Sequence, residues 1–141
     1  MTLLAVLALL FGTHANPLHT DAIESAAREH HADLALVAAV AQAESESGTS
    51  GTILTGAMLH LPRAACPGLP RRRPCINRDP DAQAGYTARL FGGVPRRHWP
   101  RMLARYVCGP APACERTTGA AYAARVLGLR AQIAAAMRRP R

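Results

Sequence analysis

Two strongly apolar stretches frame the first third of the chain. Leu3 to Phe11 is almost unbroken hydrocarbon, and Leu34 to Ala43 reads LALVAAVAQA. A helix that is apolar on every face is buried on every face, so the second stretch predicts a central helix. Asp33 stands before it as an acidic cap, and Ser47-Gly48 after it supplies a glycine stop. An earlier helix is expected from an Asp21 cap, with Glu24 completing a capping box, to about His31. Thr49 to Thr55 reads as loop, Gly56 to Pro62 (GAMLHLP) as a short apolar turn or helix, and residues 63–78 as a Pro-rich loop. Asp79-Pro80 opens a further helix that ends before Gly92-Gly93. Trp99 to Tyr106 is another, Cys108 to Cys114 is loop, and Gly119 to about Met137 is the last long helix. No stretch alternates apolar and polar residues as a half-buried strand would. The pattern predicts an all-α fold.

A length of 141 residues suits one domain with one core. The formal charge is +8, and every basic residue other than histidine is arginine. Such a surface attracts polyanions: nucleic acid, anionic lipid or carboxylate-bearing cell-wall glycan. The aromatic set is only Phe11, Tyr86, Phe91, Trp99, Tyr106 and Tyr122. That argues against nucleic acid, whose single strands are held on stacking platforms.

The first apolar run has the length of a signal-peptide core and is too short to span a bilayer. Thr13-His14-Ala15 follows it as a small-x-small cleavage pattern. The expectation is a signal over residues 1–15, a mature domain over 16–141, and a periplasmic or secreted protein with no membrane span. No Arg or Lys precedes the run, so a retained buried helix is the alternative. Cys66, Cys75, Cys108 and Cys114 agree with export, because disulfides persist in oxidising compartments. Four cysteines allow three pairings, and the sequence-local one is Cys66–Cys75 with Cys108–Cys114. Neither a C-x-x-C spacing nor a histidine cluster favours zinc. No metal or cofactor is expected. His30-His31 reads as a solvated helix end, and Arg71 to Arg73 as a solvated loop.

The residue that carries chemistry is Glu44, on the last turn of the central helix. Burial in apolar surroundings favours the protonated form of a carboxyl group, which a general acid requires. A carboxylate at a helix C-terminus also opposes the helix dipole. Ala32 to Ser45, ADLALVAAVAQAES, resembles the catalytic helix of SLT-type lytic transglycosylases, VDPALLAAVIxxES. Asp33, Ala35, Leu36, Ala38, Ala39, Val40, Glu44 and Ser45 are in register. Three later segments resemble the family in order. GAMLHLP is similar to GLMQLMP through Gly56, Met58 and Pro62. RYVCGP is similar to AYNAGP through Tyr106, Gly109 and Pro110. GAAYAARVLGL is similar to the family's last helix through Tyr122, Val126 and Leu127. The resemblance spans about residues 18–131.

It implies a lysozyme-like helical domain, here with two short disulfide-closed loops, that acts as a monomer on peptidoglycan strands. It implies Glu44 as sole acid/base, with Tyr106 hydrogen-bonded to it. Ser45 supports the helix end, and Met58 and Tyr122 contact substrate; His60 is a further substrate-binding candidate, with a surface or core role as the alternative. The chain departs from the family pattern at Glu46, Leu59 and Val107, and its loop from Glu44 to Gly56 is about three residues shorter. Glycosidases generally use two carboxylates. Glu46 is two residues from Glu44 and points to the other side of a helix, while Asp79 and Asp81 read as helix-start residues. One working carboxylate therefore implies substrate assistance, and the resemblance implies a 1,6-anhydro product. Alternatives are a hydrolytic lysozyme of the same fold and a non-catalytic protein that binds glycan or serves envelope assembly.

Overall fold

Asp33 organises the centre of the molecule. In the computed structural model, which describes residues 1–12, 17–47, 60–61, 68, 75–76 and 79–140, its Oδ1 accepts from the Leu36 amide at 2.8 Å. That bond caps the central helix α3, Leu34–Ser47, by satisfying a donor the first turn cannot pair internally. Ala35 to Ala41 are all buried, and Leu36, Val37 and Val40 have no exposed surface. Each of these three larger side chains contributes about 1.5–3 kcal/mol by leaving water.

Other helices pack around α3 and on one another. They are α1 (Leu3–Phe11), α2 (Pro17–Glu29), α4 (Pro80–Phe91), α5 (Trp99–Cys108), a single turn α6 (Pro112–Cys114) and α7 (Ala120–Met137). α7 packs along α3 and α5, and α2 packs along α4. The all-α expectation is met. Asp79 caps α4 through the Asp81 amide at 3.3 Å, with Pro80 in the first turn. Gly92 ends α4 where the chain nearly touches α2: a Cβ there would overlap the His30 carbonyl oxygen. His31 beside it takes a positive φ of 51°.

Several boundaries differ from expectation. α2 starts at Pro17 rather than at an Asp21 cap, because Pro is pre-set for a first helical position; Asp21 lies exposed within the helix. His60–Leu61 and Cys75–Ile76, read as turn and loop, pair as a two-residue antiparallel ladder. Two residues are too few to show an alternating pattern. The segment after Cys108 is largely helical: α6 runs into a π-helix, Glu115–Gly119, that continues into α7. A three-residue 3₁₀ turn, Arg96–His98, precedes α5.

The apolar run at the N-terminus forms α1, which lies against α7 and α2. Leu3, Val6 and Leu7 are buried there, while Leu9 is 60% exposed. Among the described residues, no helix is long and apolar enough to cross a membrane.

Candidate functional site

The geometry around Glu44 begins with the unbroken apolar character of α3. Because that helix is buried on all sides, its last turn carries Glu44 inward, and the residue is 5% exposed. A buried carboxyl group needs hydrogen-bonding partners. Tyr122, on the first turn of α7, donates its hydroxyl to Glu44 Oε1 at 2.8 Å. Tyr106, on the last turn of α5, stacks on Tyr122 with ring centroids 6.1 Å apart and planes inclined by 22°.

The expected bond from Tyr106 to Glu44 is therefore corrected. Tyr122 makes it, and Tyr106 backs Tyr122. The reason is helical phase: α7 leaves the π-helix with Tyr122 facing α3, the face it shares with the buried Val126, Leu129 and Ile133.

Both phenols hold their protons more tightly than usual. For Tyr122 the main cause is burial, followed by the charge and hydrogen bond of Glu44. For Tyr106 burial again leads, followed by the charge of Glu44 and by Tyr86. Tyr86, half-buried on α4, is itself raised by burial. Tyr122 and Tyr106 thus share an electrostatic neighbourhood with Glu44, and Tyr86 adjoins it through Tyr106. The sequence pattern assigns Tyr86 no role in the site. The usable signal was scarcity, since a chain with three tyrosines that fall on three different helices can bring all of them to one place.

The chemistry available is specific. A carboxyl group with one oxygen accepting from a phenol has that oxygen fixed in direction, whether or not the group carries a proton. Tyr122 remains a donor throughout the neutral range, because its ionisation is pushed upward. The arrangement suits a proton-transferring carboxyl group held in a set orientation.

Of the other expected site residues, Ser45 lies on the last turn of α3 and His60 in the first strand of the ladder; their side chains, and all of Met58, lie outside the described residues. Cys108 and Cys114 form a disulfide, S–S 2.02 Å. Cys66 lies outside the described residues, and so does the Cys75 side chain, so the expected Cys66–Cys75 pair does as well. Val107 is 41% exposed.

The opposite end of α3 is built differently. Arg130 on α7 grips Asp33 with Nη2 at 2.7 Å and Nε at 3.3 Å, and Arg96 adds a longer contact at 3.9 Å. Both guanidinium groups lie over the Trp99 ring, 5.6 Å (Arg96) and 5.3 Å (Arg130) from its centroid. Burial pushes the Asp33 carboxyl up, but the Arg130 fork, the Leu36 amide and the two positive charges together hold it below its ordinary value. This is a structural clamp about 16 Å along the helix from Glu44, at 1.5 Å per residue.

An open groove of about 620 Å³ runs between α5 and α7, lined among others by Arg101, Ala104, Arg116, Ala120, Ala124 and Leu127. Ala120 and Ala124 lie nearly opposite Tyr122 around α7 at 100° per residue, so this groove is separate from the Glu44 constellation. Among the described residues no cluster of histidine, cysteine and carboxylate groups could hold a metal ion. Comparison with protein-family models, with curated proteins and with solved structures finds no match.

Proposed function

We propose that this chain is a peptidoglycan lytic transglycosylase with a lysozyme-like helical fold, in which Glu44 is the single acid and base. The observation that carries this reading is the one buried carboxyl group among the described residues, at the end of an apolar helix and aimed by a phenol from another helix. The resemblance of four ordered segments to the SLT-type family supports it. In this mechanism protonated Glu44 donates to the glycosidic oxygen between MurNAc and GlcNAc. The MurNAc N-acetyl group stabilises the cation that forms. Glu44, now a carboxylate, takes the proton of the C6 hydroxyl, and that oxygen closes the 1,6-anhydro ring. Tyr122 keeps the carboxyl group oriented through both transfers.

Export belongs to the same reading. Residues 1–15 act as the signal, and the mature protein works in the periplasm or outside the cell, where its disulfide is stable. Removing them would also remove α1 from its seat on α7 and α2.

The test is mass spectrometry of peptidoglycan fragments after digestion. Anhydro-ended muropeptides support the proposal, and reducing ends point to a hydrolytic lysozyme. A second reading, a non-catalytic glycan-binding or assembly protein, draws on Glu46, Leu59 and Val107, which replace residues the family uses near its sugar. Glycan binding without any cleavage would select it.

A further inference from the structure

We propose that Gly119 and the Cys108–Cys114 disulfide are positioning elements that hold Tyr122 against Glu44. Its catalytic consequence rests on the function proposed above; the placement of Tyr122 does not.

The argument follows the chain from α5 to α7. Tyr106 lies two residues before Cys108, at the end of α5, and Tyr122 lies three residues after Gly119, at the start of α7. Between them the disulfide ties the end of α5 to α6, immediately before the π-helix. Gly119 closes that π-helix and is buried against α5. A Cβ at position 119 would lie 2.9 Å from both Ala104 Cβ and Cys108 Sγ, and 3.0 Å from the Ala104 carbonyl oxygen. Glycine therefore lets the backbone rest directly on the disulfide sulfur. The π-helix also shifts the phase at which α7 leaves, and that phase decides which face of α7 meets α3. Arg105 fixes the same turn by donating from Nε to Glu115 Oε1 at 2.9 Å, and Thr117 donates to the Ala113 carbonyl at 3.0 Å.

The tolerance is small. Ordinary contact for a Cβ begins near 3.4 Å, so an alanine at 119 must move the turn from α5 by about half an ångström against two neighbours at 2.9 Å. The same displacement at Tyr122 stretches a 2.8 Å bond to the edge of useful hydrogen-bond length. The disulfide and the glycine act as one seat, and Tyr122 is one helical turn beyond it.

The experiment uses protein labelled at the tyrosine ζ-carbon, with the three signals assigned by single Tyr→Phe variants and followed by NMR from pH 8 upward. Circular dichroism at each pH establishes that the fold persists. In the wild type the Tyr122 signal stays at its protonated position well past ~10, the ordinary tyrosine value. In Gly119→Ala it moves back toward that value. It does so too in the Cys108→Ser/Cys114→Ser double variant and in wild type treated with dithiothreitol, which gives up two electrons and two protons to leave two cysteine thiols. If Gly119→Ala fails to fold, the disulfide variant and the reduced protein decide the matter. Tyr122 titrating late in all of them, or titrating normally in the wild type, overturns the proposal. Cleavage is read in parallel, and kcat falls with KM little changed. A wild type that cleaves nothing removes the proposed function and leaves the placement to be judged by the phenol signal.

Discussion

Tyr122 reaches Glu44 across 78 positions of sequence and donates a 2.8 Å hydrogen bond to it. A phenol that holds its proton tightly is thereby set against a buried carboxyl group, the one proposed above to give up and regain a proton.

Glu44→Gln keeps the shape of the side chain and cannot transfer the proton. General acid–base catalysis contributes about 10²–10⁴-fold, so anhydro-muropeptide release should fall at least that far while glycan binding and folding persist. Glu46→Gln is the control and should cost much less. Release rates measured on both variants check this, and a Glu44→Gln enzyme that keeps its rate removes Glu44 from the mechanism.

Tyr122→Phe and Tyr106→Phe should separate. The first removes a donor to a buried carboxyl group, at a cost of about 1–3 kcal/mol in stability, with a clear drop in kcat. The second retains the stacked ring and should cost less than about 1 kcal/mol. Thermal unfolding and kcat for the two variants give the comparison, and the opposite ranking would restore the role first expected for Tyr106.

Arg130→Ala should destabilise the fold by about 1–3 kcal/mol, because it leaves the Asp33 carboxylate without its fork. The Asp33 carboxyl is held below its ordinary value in the folded state, so it contributes stability above the unfolded value of 3.8. That contribution is lost as pH falls further. Denaturant midpoints between neutral pH and about pH 3 should fall for wild type, with a shallower acid loss in Arg130→Ala.

His19 gives a second acid window. Burial holds its imidazole below the ordinary value of 6.5, and its buried Nδ1 finds no hydrogen-bond partner among the described residues. The neutral form is therefore the folded form. Its contribution is complete above pH 6.5 and declines as pH drops below that. His19→Gln should flatten the stability profile below pH 6.5, measured as the thermal midpoint against pH; an unchanged slope would count against it.

Gly92→Ala places a methyl group into the His30 carbonyl oxygen, and two backbones cannot yield as side chains do. A loss of about 2–3 kcal/mol is expected, against a near-neutral Gly85→Ala, where a Cβ meets nothing within 4 Å.

Much of the helical layout was legible because punctuation residues do their work locally. Asp33, Asp79 with Pro80, and Gly92 each satisfy or end a helix through neighbours a few positions away. The burial of Glu44 was legible as well, from the apolar run that precedes it. What could not be read depends on helix phase and on distance along the chain. Nothing in Glu115 to Gly119 marks a π-helix, yet that turn decides that Tyr122 rather than Tyr106 meets the carboxyl group. Arg130 grips Asp33 from 97 residues away, and no local pattern selects it among the arginines. Tyr86 joins the site only because α4 packs where it does.

The single tryptophan lies against two guanidinium groups at the Asp33 end of α3, and Tyr122 and Tyr106 lie at the Glu44 end. The chain therefore carries two optical probes at opposite ends of one helix. Excitation at the red edge follows Trp99 and the loosening of its two cationic contacts, while phenol absorbance follows the carboxyl group. Whether the molecule opens from the clamp or from the Glu44 end can be watched in unlabelled protein, by which of the two signals moves first.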